Sequence, residues 1–212
     1  MSHHTASVSF ARICSMIKRA FDAMGSLIAL IILLPLLALI SIVVMLESRG
    51  GFLFRQERVG KRGITFELLK FRSMRANVPG PLITVGESDP RITRSGQWLR
   101  RTKLDELPQL WNVFVGHMSI VGPRPEVPKY VALYDEEMRQ VLNVRPGLTD
   151  PASIDAFDEG TELAAAKDPD AHYRTVILPR KVRAQLDYAK KSSFLSDGRV
   201  IVRTLLRILK SR

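Results

Sequence analysis

The chain has a single cysteine, Cys14, among its 212 residues. No internal disulfide can form, which agrees with a reducing compartment. Charge is absent altogether between Asp22 and Glu47, where the sequence reads AMGSLIALIILLPLLALISIVVML. That run is apolar all round with no amphipathic stripe, so a buried helix of a soluble protein is a poor description of it. A cleaved signal peptide also fits poorly, because the run is too long and no small-residue cleavage site follows. The chain lacks a Walker loop, a GxGxxG turn, an HExxH helix and any Cys/His zinc spacing, so none of those chemistries has sequence support. Its histidines are scattered: His3 and His4 lie in a polar N-terminal stub that reads as a tail, and His117 and His172 are isolated. Acidic residues are outnumbered 21 to 32 by Lys and Arg, giving a formal net charge of +11. A balance that basic suggests a polyanionic partner: nucleic acid, an anionic lipid surface or phosphorylated substrates. No nucleic-acid-binding motif accompanies the charge.

What is present begins with the uncharged segment itself. Ala23–Leu46 matches the roughly 20 residues needed to cross a hydrocarbon core. Pro35 sits in its middle, where it removes a backbone donor and clashes with the carbonyl four residues back, so a kink is expected there. Basic residues flank both ends: Arg12, Lys18 and Arg19 before it, and Arg49, Arg55, Arg58, Lys61 and Arg62 after it. The positive-inside rule places both flanks in the cytoplasm. The residues therefore predict a re-entrant helix-kink-helix over residues 1–50, bent near Pro35, and a membrane-surface domain over 51–212. A straight span with a tolerated proline is the competing geometry.

The remainder reads as mainly α with a few short strands, an α+β domain. Phe52–Gln56 and Thr65–Phe71 are short strands around a turn at Val59–Gly63. Asn77–Pro90 is a Pro/Gly-rich loop, and Ser95 caps a short helix ending at Arg101. Leu107, Leu110, Trp111 and Phe114 recur at helical spacing, and Pro108 fits only a first turn, so a helix starts near Asp105 or Glu106. Gly122–Pro125 is a rigid extended turn. Glu126–Leu142 is helical with a break near Asp135, Asp155–Asp170 is acidic and loop-like, and Tyr173–Lys191 is interrupted or started at Pro179. The last helix, Gly198–Lys210, is amphipathic, with Arg199, Arg203 and Arg207 on one stripe and Val202, Leu205, Leu206 and Leu209 on another. Such a helix can lie among lipid headgroups or cover a protein core.

One cluster can carry chemistry. Asp105 and Glu106 could serve simply as an N-cap and a first-turn acid. Their surroundings point further. Arg100, Arg101 and Lys103 precede the pair, Arg124 follows in a stiff Pro-Arg-Pro turn, and Lys70 and Arg72 alternate along the second strand. Basic side chains converging on a carboxylate at a helix start suit phosphates with a divalent cation such as Mg2+, which prefers carboxylate and phosphate oxygens.

The segments that carry this cluster resemble the bacterial sugar transferase family, the small monotopic phosphoglycosyl transferases. The matching runs are KRAFD at Lys18–Asp22, FRQERVG at Phe54–Gly60 and LKFRSM at Leu69–Met74. They continue with LRRTKLDELPQLWNVFVG at Leu99–Gly116, MSIVGPRPE at Met118–Glu126 and VRPGLT at Val144–Thr149. The resemblance implies a bacterial inner-membrane enzyme with its catalytic domain on the cytoplasmic face. It would move a sugar phosphate from a UDP-sugar to polyprenyl phosphate, releasing UMP. It further implies Asp105 as nucleophile and Mg2+ ligand and Glu106 as its partner carboxylate, a base or an organiser of the metal site. Arg100, Arg124, Lys70 and Arg72 would hold phosphates. The chain departs from the family pattern at His117, across Leu148–Gly160 and at Leu34, where members often have serine before the kink proline. The competing reading is a membrane-tethered basic binding or scaffold protein without catalysis, and the intact Asp105–Glu106 pair argues against it. Which sugar, which glycan and which oligomeric state are open at this level.

Overall fold

The computed structural model describes residues 2–75, 89–150 and 159–210. Most of the Asn77–Pro90 loop and the acidic stretch before Glu159 lie outside the described residues. The first element is a single helix, α1, Ser2–Glu47, with Pro35 inside it. The helix-kink-helix expected at Pro35 does not appear as two helices. A proline inside a helix forfeits one hydrogen bond, here the one to the Ile31 carbonyl, and Leu-rich flanks are good helix formers that continue across the gap. The apolar stretch is not a soluble core helix, because only 11% of it is buried within the chain. Met24, Leu27, Ile28, Ile31, Ile32 and Leu34 all face outward. Among the described residues it is one helix long and apolar enough to cross or insert into a membrane.

Strands β1 (Leu53–Val59) and β2 (Thr65–Phe71) form an antiparallel hairpin, with Leu53 opposite Phe71 and Val59 opposite Thr65. The turn tolerates positive φ at Arg62 and at Gly63. Phe66 and Leu68 are buried on one face of β2, and Lys70 follows at the same two-residue period, which aims it inward. Helix α2 (Arg94–Arg101) is capped by Thr93, whose hydroxyl accepts from the Gly96 N–H at 3.0 Å. Ser95, the expected cap, lies one residue inside the helix. A 3-10 turn at Leu104–Glu106 leads through Pro108 into α3 (Gln109–Val115).

Strand β3 (Ser119–Val121) pairs in parallel with β4 (Gly147–Thr149). The contact is so close that a Cβ on Gly147 would lie 2.1 Å from the Gly122 nitrogen, so glycine is required there. Between them α4 (Pro128–Val131) and α5 (Glu136–Arg139) are separated at Asp135, which caps α5 by accepting from the Met138 N–H. The C-terminal part holds α6 (Glu159–Ala165), α7 (Pro169–His172), α8 (Leu178–Lys191) and α9 (Phe194–Lys210).

Three apolar clusters hold these parts together. Val127, Tyr130, Val141, Tyr173, Ile177 and Val182 join α4 to α8. Phe66, Leu68, Val113 and Met118 seat α3 on the hairpin. Ile40 and Val44 of α1 pack with Phe71 and Leu99, and Leu104 and Leu107 join them. Leu104 and Leu107, on either side of Asp105, thus pack in the cluster that joins the 3-10 turn to α1.

Candidate active site

Asp105 and Glu106 are adjacent in sequence but occupy opposite electrostatic situations. The turn that carries them starts at Lys103, whose backbone is left-handed at φ 58. Non-glycine residues avoid that region, so the turn is held by its surroundings rather than by local preference. The Glu106 carboxylate accepts from Lys70 Nζ at 2.9 Å and from Arg124 Nη2 at 2.6 Å, with Arg124 Nη1 at 3.4 Å. Burial alone would raise its pKa, but the charges of Arg124 and Lys70 outweigh burial and hold it well below the ordinary value. Glu106 is therefore held ionised. Burial lowers the Lys70 ammonium against the opposing pull of Glu106, while Glu106 raises the Arg124 guanidinium.

Asp105 is buried, and its Oδ1 has no hydrogen-bond partner. Burial pushes its carboxyl above the usual range, against the charges of Lys70, Lys103 and Arg100, and the neighbouring Glu106 pushes the same way. A buried carboxylate oxygen without a partner is costly and rare, so it marks a place where an incoming group completes the shell.

The structure gathers Lys70, Asp105, Glu106 and Arg124 into one cluster, and Arg100 acts on Asp105 electrostatically from the end of α2. Arg72 is not brought into this cluster. It is buried, and it donates to Val44 O at 3.3 Å, Ser48 O at 2.6 Å and Arg49 O at 3.1 Å at the end of α1. Strand β2 ends at Phe71, so the two-residue period that aims Lys70 at Glu106 no longer governs Arg72. His117 tilts against the Phe66 ring, with centroids 5.5 Å apart, and is not part of the cluster.

Two residues of the site escape a reading of the sequence. Asn112 is buried, donates to Glu67 O at 2.7 Å and accepts from Leu69 N at 3.0 Å. It serves β2 as a neighbouring strand would and locks α3 to the strand that carries Lys70. Gln109 is buried with its Nε2 unpartnered. The signal for both was a polar residue in a helix whose other positions are all apolar. Arg124 is steadied from behind: Arg58 Nη1 donates to Pro125 O at 3.0 Å and to Glu126 Oε1 at 3.3 Å.

The model of the family described as bacterial sugar transferase matches residues 13–211, which takes in the whole cluster and most of α1. The chain belongs to the bacterial sugar transferase family. It is accordingly a transferase enzyme. Relatives of this sugar transferase include the undecaprenyl-phosphate glucose phosphotransferase of Komagataeibacter xylinus, 38% identical over 92% of this chain and 36% of the relative. The exopolysaccharide production protein PSS of Rhizobium leguminosarum bv. phaseoli is 40% identical over 90% of this chain and 94% of its own length. The UDP-glucose:undecaprenyl-phosphate glucose-1-phosphate transferase of Caulobacter vibrioides is 34% identical over 91% and 69%. The chain thus spans about a third of one such relative and nearly all of another.

Proposed function

We propose that this sugar transferase moves a sugar 1-phosphate from a UDP-sugar to polyprenyl phosphate in two displacements at Asp105. In the first, an Asp105 carboxylate oxygen bonds to the phosphorus that bears the sugar, and the bond to UMP breaks with its electron pair leaving on UMP. In the second, a phosphate oxygen of the lipid bonds to the same phosphorus and the Asp105 carboxylate leaves. The product is a polyprenyl diphosphate sugar. A carboxylate nucleophile splits one difficult step into two easier ones. The observation that carries this reading is the buried, unpartnered Oδ1 of Asp105 beside Lys70 and the Arg124–Glu106 pair.

The second displacement needs no general base, because a phosphate monoester with a second pKa of about 6 is largely ionised at neutral pH. Glu106, held ionised by two cations, is a weak base in any case. Its role is to fix Lys70 and Arg124 where the donor's phosphates arrive, and Arg100 adds positive charge at the same place. Asp105 fits a Mg2+ ion through its unpartnered oxygen. No group of three or more His, Cys, Asp or Glu gathers among the described residues, so the remaining ligands would be substrate phosphates and water. Bound there, Mg2+ would neutralise pyrophosphate charge.

The two flanks of the apolar run bear on how it meets the bilayer. At one end Asp22 accepts from Ser119 Oγ at 2.7 Å and from Ile120 N at 3.2 Å, and Arg19 donates to Val113 O at 2.6 Å. At the other, Arg72 and Ser95 hold the last turn of α1. Both polar ends are fastened to one folded body, which supports a reading in which the segment enters and leaves one leaflet on the domain's side, with that side at the cytoplasmic face of the inner membrane. Pro35, unable to donate to Ile31 O, is the cheapest place for it to bend.

The test is incubation with a UDP-sugar labelled in the sugar, without lipid acceptor. Label stays on the wild-type chain and is chased off by polyprenyl phosphate, and Asp105→Asn retains none. Equal labelling of Asp105→Asn overturns the nucleophile assignment.

A further inference from the structure

Glu47 closes the apolar run, and its carboxylate is spent on another helix. It accepts from the backbone N–H groups of Arg94 at 2.7 Å and Ser95 at 3.0 Å, and from the Ser95 hydroxyl. Helix α2 begins with unsatisfied N–H groups that favour negative charge. The other two are met at Thr93: its hydroxyl accepts from Gly96 N at 3.0 Å, and its own N–H donates to Ser73 O at 3.1 Å. On the opposite side of the joint, Arg72 caps the carbonyls that end α1. Between the two polar fasteners lies the cluster of Ile40, Val44, Phe71 and Leu99, which Leu104 and Leu107 join from either side of Asp105. The end of α1, helix α2 and the turn of the nucleophile therefore form one unit.

We propose that Glu47 is a positioning residue for the lipid half of the reaction: by pinning the polar end of α1 to the first turn of α2, it fixes the height of Asp105 relative to the bilayer. The inference rests on the function proposed above. Glu47 is exposed, at the level where the apolar run gives way to charge. A soluble UDP-sugar reaches Asp105 at any height of the domain. The phosphate of a lipid anchored in the bilayer reaches it only at the right one. Loosening the joint should therefore penalise one substrate and spare the other.

The measurement uses the full chain, wild type, Glu47→Ala and Glu47→Gln, reconstituted in phosphatidylcholine–phosphatidylglycerol vesicles. UMP release without acceptor reads the donor half. Turnover against polyprenyl phosphate concentration reads the lipid half. A misplacement of about an ångström costs on the order of 10- to 100-fold. Glu47→Ala is expected to lose that much in kcat/KM for polyprenyl phosphate while its UMP release stays within about twofold. Glu47→Gln, which keeps one acceptor oxygen, should recover part of the loss. A second readout does not depend on activity. In a Trp111→Phe background the half-exposed Trp98 of α2 is the remaining tryptophan. Its quenching by lipids doxyl-labelled at shallow and deep positions reports the depth of α2, and Glu47→Ala should shift that profile. Lipid kinetics and quenching both unchanged would overturn the proposal, as would donor and lipid halves falling in proportion. A wild-type chain that releases no UMP would instead overturn the two-displacement reaction, and the quenching arm would still decide the role of Glu47.

Discussion

Two carboxylates, half-buried Glu106 and buried Glu126, sit on either side of the Pro-Arg-Pro turn, and each is matched by cations. Glu126 accepts from Arg58 at 3.3 Å, from its neighbour's Val127 N–H at 2.9 Å and from the Tyr173 hydroxyl at 2.5 Å, with Lys181 3.6 Å away. Burial would raise its pKa, but Lys181 and Arg58 lower it. That cluster is complete. The cluster around Glu106 uses the same kinds of residues, yet next to it stands a carboxylate oxygen with no partner. The difference separates a device that holds the fold from one that waits for a ligand. Charge, burial and paired acids alone do not tell the two apart, whereas the unfinished hydrogen-bond shell of Asp105 does.

Substitutions that neutralise each acid break the comparison at its strongest point. Glu106→Gln should lower kcat by about 100-fold or more with the chain still folded, because Lys70 and Arg124 lose the group that fixes them. Glu126→Gln should change kcat per folded molecule little and instead cost about 3 kcal/mol of stability, the penalty for stripping one partner from a buried pair. Activity assays beside thermal unfolding separate the two outcomes. Similar activity losses for both would erase the distinction.

A subtler effect has the opposite sign. The raised pKa of Asp105 means that its stabilising, neutral form is fully populated below the unfolded value of about 3.9, and that this contribution is lost as pH rises through the folded pKa. At neutral pH, Asp105→Asn should therefore unfold at a higher temperature than wild type, by about 1 kcal/mol of added stability, and that gap should shrink as the solution is acidified. Glu106 and Glu126 run the other way. Their lowered pKa values give stability that is present above about 4.3 and is lost as pH falls through the folded values. The smallest expected change is at Lys103. Glycine there relieves the left-handed backbone, so Lys103→Gly should fold at least as well as wild type, within about 1 kcal/mol.

Much of the local structure was legible in the sequence, because short-range rules decide it. Strand β2 occupies Thr65–Phe71 as its alternation requires, and Asp135 breaks the helix after the Pro-Arg-Pro turn by capping a new one. The helix expected to start near Asp105 or Glu106 starts instead at Gln109, with Pro108 as its N-cap, and the acid pair lies in a separate 3-10 turn entered through the left-handed Lys103. What was not legible depends on partners far away in the chain. The parallel pairing of Ser119–Val121 with Gly147–Thr149 is three residues long, too short for any period to betray. Thr93 rather than Ser95 caps α2 because Glu47, distant in sequence, takes the Ser95 hydroxyl. Arg72 shares a strand parity with Lys70 and still turns away, toward carbonyls that only the folded α1 presents. Of the candidate residues singled out from the sequence, the structure gathers Asp105, Glu106, Lys70 and Arg124, with Arg100 acting on Asp105, while Asn112, which locks α3 to the Lys70 strand, needed the structure.

The most direct test of the account is a rapid-quench measurement of UMP from wild-type chain mixed with UDP-sugar and no lipid. A nucleophilic Asp105 gives a burst of about one equivalent of UMP per active chain, followed by little further release until polyprenyl phosphate is added. UMP that appears only in the presence of the lipid would contradict a covalent intermediate and favour direct transfer between the two substrates.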